Sequence, residues 1–146
     1  MPDFANMTLS RLVRPEGYAC SCGRHHVCAL KYLNIGRGII VEVPQMVAAM
    51  GKKKPFVVCD GNTWAVAGQR VDDILTAAGI DHVVYVVPLE KPGNVRIAPA
   101  EWETGSIIMH FDPTCDMFLA VGSGVINDLC KVAAHATGRP TAVVGT

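Results

Sequence analysis

A glycine-rich turn near the carboxyl end constrains the possible structures of this chain most. The apolar run Met117–Val121 predicts a strand, it stops at Gly122-Ser123-Gly124, and an amphipathic segment begins directly afterwards. A strand that passes through such a turn into a helix exposes backbone N–H groups and the positive end of the helix dipole. Glycine also lets a phosphate approach the backbone closely. The motif therefore predicts a phosphate site at Gly122, Ser123 and Gly124; the alternative is a tight connection without a ligand.

Strand and helix signals alternate along the rest of the chain, and several apolar runs are short and rich in valine. The pattern predicts an α/β fold, with a Rossmann-like, mostly parallel sheet and helices on both faces. At this length we expect one nucleotide-binding domain over residues 1–146. Residues 88–99 are predicted to form a loop, and 100–110 fit either type of element. The predicted strands are 27–35, 55–59, 82–87, 116–121 and 141–144, and the predicted helices are 39–50, 64–78 and 125–137.

Asp60 directly follows the predicted strand 55–59. Ligands of parallel α/β sheets bind beyond the carboxyl ends of the strands, so Asp60 and the glycine turn are expected at the same edge. A carboxylate there accepts hydrogen bonds from both hydroxyls of an adenosine ribose and repels a 2′-phosphate, which favours NAD over NADP. The alternative is a turn followed by a helix cap at Asn62-Thr63.

Other charged residues have weaker signals. Asp128 lies four residues after Gly124, and we expect it in the first helical turn, either stabilising the dipole or facing a substrate. Lys131 is expected to be a solvated charge or the i,i+3 partner of Asp128. Lys91 and Arg96, in the predicted loop, either approach a 2′-phosphate or are solvated.

A second cluster combines metal-ligating side chains within seven residues: Cys20, Cys22, His25 and His26. Two cysteines and two histidines are able to chelate zinc. Structural zinc sites usually take two separated ligand pairs, however, and the sequence has no evident second pair. We favour an edge strand and turn in which Arg24, His25 or His26 contacts an anion, and zinc remains the alternative.

Composition excludes several classes of function. The formal net charge is +0 and 50% of the residues are hydrophobic, which argues against binding to nucleic acid or to a membrane surface. No apolar window reaches the length of a membrane span. Without a basic signal region, the six cysteines are expected to be free thiols in a reducing cytoplasm.

Three motifs, in this order, resemble the bacterial-type sn-glycerol-1-phosphate dehydrogenases. They are Tyr18-Ala19-Cys20-Ser21-Cys22-Gly23-Arg24-His25-His26, Asp60-Gly61-Asn62-Thr63 with Ala67-Gly68, and Gly122-Ser123-Gly124-Val125-Ile126-Asn127-Asp128-Leu129-Cys130-Lys131. Tyr18 stands where phenylalanine is common. These enzymes are grouped with glycerol dehydrogenase, iron-containing alcohol dehydrogenases and dehydroquinate synthase. The resemblance runs from Tyr18 to Thr146.

The resemblance implies a nicotinamide dinucleotide, NAD or NADP, in a cleft between an α/β domain and a helical domain. Gly122, Ser123 and Gly124 would contact the pyrophosphate, Asp60 the ribose, and Asp128 would face the substrate. The implied reaction is reduction of dihydroxyacetone phosphate to sn-glycerol 1-phosphate by hydride transfer. A divalent metal (Zn, Ni or Fe) would polarise the carbonyl.

The chain also departs from that family. Thr146 stands where a Thr-Ala-Pro-Ser-Met-Asp-Gly type segment of the family would start, and we group it with the cofactor-binding residues. The resemblance implies three metal ligands, and none of them lies within residues 1–146. We expect the cofactor-binding half of such an enzyme, inactive alone, with an exposed apolar face that favours a homo-oligomer. The alternatives are a nucleotide- or phosphate-binding module without catalysis, and a metal or redox module built on the Cys/His cluster.

Overall fold

The computed structural model describes residues 6–88 and 96–146. The chain divides into two compact units, Met1–Ile39 and Ile40–Thr146. The first unit contains helix α1 (Leu9–Leu12) and an antiparallel hairpin of β1 (Tyr18–Ala19) and β2 (His25–His26). Within the described ranges, no helix has the length and apolar character needed to cross a membrane.

The predicted strand over residues 27–35 was wrong, because this segment has no strand structure. Its apolar side chains are exposed: Val27 by 61%, Leu30 by 54% and Ile35 by 70%. An apolar run becomes a buried strand only where neighbouring strands pair with it and helices cover its faces. The sequence shows that the segment is apolar, but it does not show whether strands pair with it or helices cover it.

The second unit contains the predicted sheet and helices. Strands β3 to β6 form one parallel sheet in the order β4-β3-β5-β6, which confirms the α/β prediction. The ambiguous segment 100–110 is helical. The elements are a 3-10 turn (Ile39–Glu42), α2 (Val43–Ala49), β3 (Pro55–Asp60), α3 (Gly61–Thr63), a π-helical turn (Trp64–Gly68), α4 (Gln69–Ala77), β4 (Val83–Val87), α5 (Glu101–His110), β5 (Met117–Val121), α6 (Gly124–Thr137) and β6 (Thr141–Val144).

Both faces of the two central strands are buried. Phe56 and Phe118 pair in register and belong to the apolar core formed with α5 and α6. Side chains alternate along a strand, so Val57 and Leu119 point to the opposite face, and both are fully buried. The π-helical turn contacts β3 and β5, and α4 packs against α2. Helices therefore cover both faces of the sheet.

The helical run after β3 begins earlier than predicted. It starts at Gly61 rather than Trp64, and the predicted helix 64–78 divides into the π-helical turn and α4. The Gln69 N–H donates to the Trp64 carbonyl oxygen, five residues back. A Cβ on Gly68 would lie 2.9 Å from Trp64 Cε3 and 3.3 Å from Cys59 Sγ, so glycine permits this close packing.

The strand order creates a crevice between β3 and β5. From β3 the chain first adds β4 on one side and then crosses to add β5 on the other side. In doubly wound folds, ligands bind at such a reversal, beyond the carboxyl ends of the two strands. Here those ends lead into Asp60 and into the glycine turn.

Truncating Phe56 should test the core under this crevice. Its ring is fully buried and lies edge-on to Phe111 at 5.4 Å and to Phe118 at 5.5 Å. We expect Phe56→Ala to lower the free energy of unfolding by roughly 3–5 kcal/mol because it leaves a cavity. Urea unfolding followed by circular dichroism measures this. The 45%-exposed Trp102 provides the control, since Trp102→Ala should cost much less; equal losses would contradict the packing described.

Candidate functional site

The first glycine of the turn is required by the fold itself. Gly122 has φ +155°, and a Cβ there would lie 2.9 Å from the Ile126 Cβ. Its N–H donates to the Val144 carbonyl oxygen at 3.0 Å, which joins the turn to the end of β6. Any side chain at residue 122 would therefore push against α6.

The amino end of α6 is open. Ser123 is the N-cap residue, but its hydroxyl makes no capping hydrogen bond, and it is exposed. The first α-helical bond runs from Asn127 N–H to the Ser123 carbonyl oxygen at 3.1 Å. The N–H groups of the preceding helical residues have no acceptor within the helix, as at every helix start. A Cβ on Gly124 would meet no atom within 4 Å. This arrangement of donors, helix dipole and free space is suited to an anionic group.

Asp60 caps the helical run that follows β3. Its Oδ1 accepts the Thr63 N–H at 2.7 Å, and its own N–H donates to Thr63 Oγ1 at 2.9 Å. The cap expected at Asn62-Thr63 therefore lies at Asp60 instead. The sequence did contain a signal for it, because Asp is among the preferred N-cap residues. A carboxylate offers about four lone-pair sites, so capping alone does not exhaust its capacity.

The structure brings Asp60 and the glycine turn together at one edge. Asp60 is the last residue of β3 and the glycine turn follows β5, and these two strands are parallel neighbours. A Cβ on Gly122 would be 3.4 Å from Thr63 Cγ2, so the turn and the capping box are neighbours at this edge. Thr63, which belongs to the second motif of the sequence, is thus also a residue of this edge.

Other predicted residues lie around this edge or outside the described ranges. Asp128 lies in the second turn of α6, not the first, because the helix already begins at Gly124. It is exposed and accepts a hydrogen bond from Lys131 Nζ at 3.1 Å, which confirms the predicted pair. Thr146 is exposed, two residues beyond β6, and Arg96 is exposed. Lys91 lies outside the described residues.

Two buried thiols lie beneath the site. Burial raises the pKa of Cys59, next to Asp60, to about 12, and the nearby Asp60 charge adds to this rise. Burial also raises the pKa of Cys130 in α6 to about 12. Thiols with such pKa values stay protonated at neutral pH and are poor nucleophiles. Both cysteines are buried and are therefore packing residues.

The Cys/His cluster lies in the first unit, where the predicted edge strand and turn are confirmed. The ligand atoms of Cys20, Cys22 and His26 all lie within 4.8 Å of one another, and Cys22 Sγ is 3.2 Å from His26 Nε2. Backbone and side-chain hydrogen bonds from Cys22 lower the pKa of the Cys20 thiol. His25 is engaged elsewhere, since its Nε2 lies 2.7 Å from the Glu16 carbonyl oxygen.

Residues 34–146 match the model of the iron-containing alcohol dehydrogenase family. The glycerol-1-phosphate dehydrogenase (NAD(P)+) of Halalkalibacterium halodurans is 34% identical over 128 residues, which are 87% of this chain and 32% of that protein. Its counterpart from Bacillus licheniformis is 28% identical over 88% of this chain and 32% of its own length. The chain thus spans about a third of the length of these curated relatives.

Solved structures show the same fold. The crystal structure of glycerol dehydrogenase from Schizosaccharomyces pombe matches with a TM-score of 0.62 at 20% identity, over 75% of this chain and 26% of that one. At this identity the likeness concerns the fold of the α/β unit. It agrees with the parallel sheet and the helices described above.

The two glycines of the turn should respond differently to alanine. We expect Gly122→Ala to lower the free energy of unfolding by roughly 1–3 kcal/mol, because the new Cβ meets Ile126 and the backbone at residue 122 is strained for an L-residue. Gly124→Ala should stay within about 0.5 kcal/mol of the parent, because free space surrounds its Cβ. Chemical denaturation of both variants measures the difference. Equal costs would show that the turn has another conformation.

Proposed function

Because the chain belongs to the iron-containing alcohol dehydrogenase family, we propose that its α/β unit binds a nicotinamide dinucleotide for a glycerol-1-phosphate dehydrogenase. One observation carries the proposal: an open, donor-lined helix end and a carboxylate meet where the strand order reverses. In this assignment the Gly124 N–H and the Ser123 hydroxyl hold the pyrophosphate, and Gly122, whose N–H is bonded to Val144, shapes the turn that it approaches. Asp60 accepts hydrogen bonds from the adenosine ribose.

The free space at Gly124 supports the fit of a phosphate group. Nothing in the fold needs glycine there, since its φ is not positive and a Cβ added to it would meet no atom within 4 Å. A ligand that lies against the backbone gives a reason for the missing side chain. The Ser123 hydroxyl, which makes no capping bond, is able to donate to the same ligand.

The proposed reaction is the one for which the relatives are named. In it, dihydroxyacetone phosphate is reduced to sn-glycerol 1-phosphate. When bound, the dinucleotide supplies the hydride. This chain's residues bind and orient it through the glycine turn and Asp60, and Asp128 and Thr146 would line the neighbouring positions. Asp128 and Lys131 form an exposed ion pair. In the proposed complex, Asp128 would release Lys131 and accept a hydrogen bond from a substrate hydroxyl instead.

The residues at this edge do not fit the divalent metal that the resemblance implies. Among the described residues, the group of three metal-competent side chains is Cys20, Cys22 and His26, in the first unit. The edge itself contributes the carboxylates of Asp60 and Asp128, which are too few ligands for such an ion. We propose that hydride transfer requires residues beyond these 146.

Two further expectations stay proposals. A reducing cytoplasm agrees with six cysteines that are all free thiols. A homo-oligomer agrees with large apolar side chains that are exposed on the α/β unit, among them Val66, Met109 and Val132. Light scattering of the purified chain measures the second.

Gly124→Val should separate binding from folding. The branched side chain enters space that is open in the fold, so stability should change little, whereas the phosphate approach is blocked. We expect NADH binding, followed by fluorescence titration, to weaken by at least roughly 30-fold, equivalent to about 2 kcal/mol. Gly105→Val is the matched control, because residue 105 lies in the middle of α5 and also has free space at Cβ. Unchanged affinity in Gly124→Val would remove the pyrophosphate from this turn.

Asp60→Asn should test the ribose contact without loss of the cap. Asparagine caps helices as well as aspartate, so the free energy of unfolding should stay close to that of the parent. Loss of the negative charge removes repulsion from a 2′-phosphate. We expect the preference for NADH over NADPH to fall by on the order of 10-fold, about 1.4 kcal/mol. If the ratio of the two dissociation constants is unchanged, Asp60 does not face the ribose.

A further inference from the structure

The hairpin of β1 and β2 brings three strong metal ligands together on one side. We propose that Cys20, Cys22 and His26 form a zinc site, with the two sulfurs and the imidazole Nε2 as ligands. The hairpin belongs to the first unit, and none of its three ligands is among the residues proposed to hold the dinucleotide. The failure of one proposal therefore leaves the other standing.

The distances match three of the four positions of a tetrahedral zinc ion. Tetrahedral zinc with Zn–S bonds of about 2.3 Å and Zn–N bonds of about 2.0 Å separates its sulfurs by about 3.8 Å and sulfur from nitrogen by about 3.5 Å. The three ligand atoms lie within 4.8 Å of one another, and Cys22 Sγ and His26 Nε2 are 3.2 Å apart. Small side-chain rotations are enough to place all three around one ion.

The strand register explains why His26, and not His25, is the third ligand. Tyr18 pairs with His26 and Ala19 with His25, so the two histidines point to opposite faces of the hairpin. Cys20 follows β1 two residues after Tyr18, on the face of Tyr18 and His26. The Tyr18 and His26 rings stack at 5.9 Å, which helps to orient the imidazole.

Backbone hydrogen bonds hold the turn that carries the cysteines. The Gly23 N–H donates to the Cys20 carbonyl oxygen at 3.1 Å, and the Cys20 N–H donates to the Arg24 carbonyl oxygen at 3.0 Å. Gly23 has φ +79° and so takes the left-handed position of the turn. At the base of the hairpin, Gly17 has φ +64°, and a Cβ there would collide with the His26 carbonyl oxygen. The backbone is therefore fixed before any ion binds, which lowers the entropy cost of binding.

The donor set selects the kind of ion. Two thiolates and one imidazole are soft to borderline ligands that favour zinc over magnesium or calcium. Cys22 is exposed and Cys20 is half-buried, so an ion can reach the site from solvent. Zinc binds the thiolate form of cysteine, so any proton on a ligating sulfur is released when the ion binds. The fourth position is then open to a water molecule or to one more ligand.

Cobalt and zinc titrations of the purified, untagged 146-residue chain test the site. Under reducing conditions, Co²⁺ should bind at one ion per chain and give an intense sulfur-to-cobalt charge-transfer band, and zinc should displace it. Competition with a chromophoric chelator gives the zinc affinity. This measurement needs no variant, so it is independent of whether any substitution folds.

The variants Cys22→Ser and His26→Gln should each weaken zinc binding by at least roughly 100-fold, since even indirect supports of a metal ligand are worth 10–100-fold. Their matched controls are Cys28→Ser, a nearby thiol outside the group, and His25→Gln, the other histidine of the hairpin. Both controls should bind as the parent does. Dinucleotide titration and circular dichroism report on the second unit in each variant. Absence of stoichiometric binding in the parent, or full affinity in Cys22→Ser, would overturn the site.

Discussion

The parallel pairing of β3 with β5 is the constraint on which the rest of the α/β unit depends. Phe56 pairs with Phe118 and Val57 with Leu119, and all four side chains are fully buried. Because side chains alternate, a slip of one residue would exchange the contents of the two faces, so packing fixes the register. That register also aligns the carboxyl ends of the strands. The capping box after β3 and the glycine turn after β5 come into contact as a consequence.

The glycine turn combines two requirements that the sequence alone does not separate. Gly122 meets a need of the fold, because its backbone conformation and its distance from Ile126 leave no room for a side chain. Gly124 meets no such need, since space surrounds it. The absence of a side chain at residue 124 leaves the backbone at the amino end of α6 open to a ligand. The fold of the α/β unit thus requires the glycine at residue 122 but not the one at residue 124.

The elements that were predicted well from the sequence are those whose local apolar pattern fits only one buried arrangement. The apolar runs that form β3, β5 and β6, and the 3.6-residue spacing of α6, depend on local pattern, and the structure has them nearly as predicted. The error at residues 27–35 has the opposite cause, since whether an apolar run pairs is decided by distant residues. The choice between His25 and His26 likewise depends on strand register. Pairing of Tyr18 with His26 is visible only once the hairpin is formed.

The cap at Asp60 orients the carboxylate that we propose to bind the ribose. One carboxylate oxygen accepts the Thr63 N–H, and Thr63 in turn accepts the Asp60 N–H. The first bond restricts the Asp60 side chain at the end of β3 before any ligand arrives, and the second orients the Thr63 hydroxyl. The rotamer entropy of Asp60 is therefore lost on folding and not on binding, which favours affinity. A neutral cap would orient the chain equally well. The fold does not require the negative charge of Asp60. In the proposed site, that charge would favour a ribose without a 2′-phosphate over one that carries it.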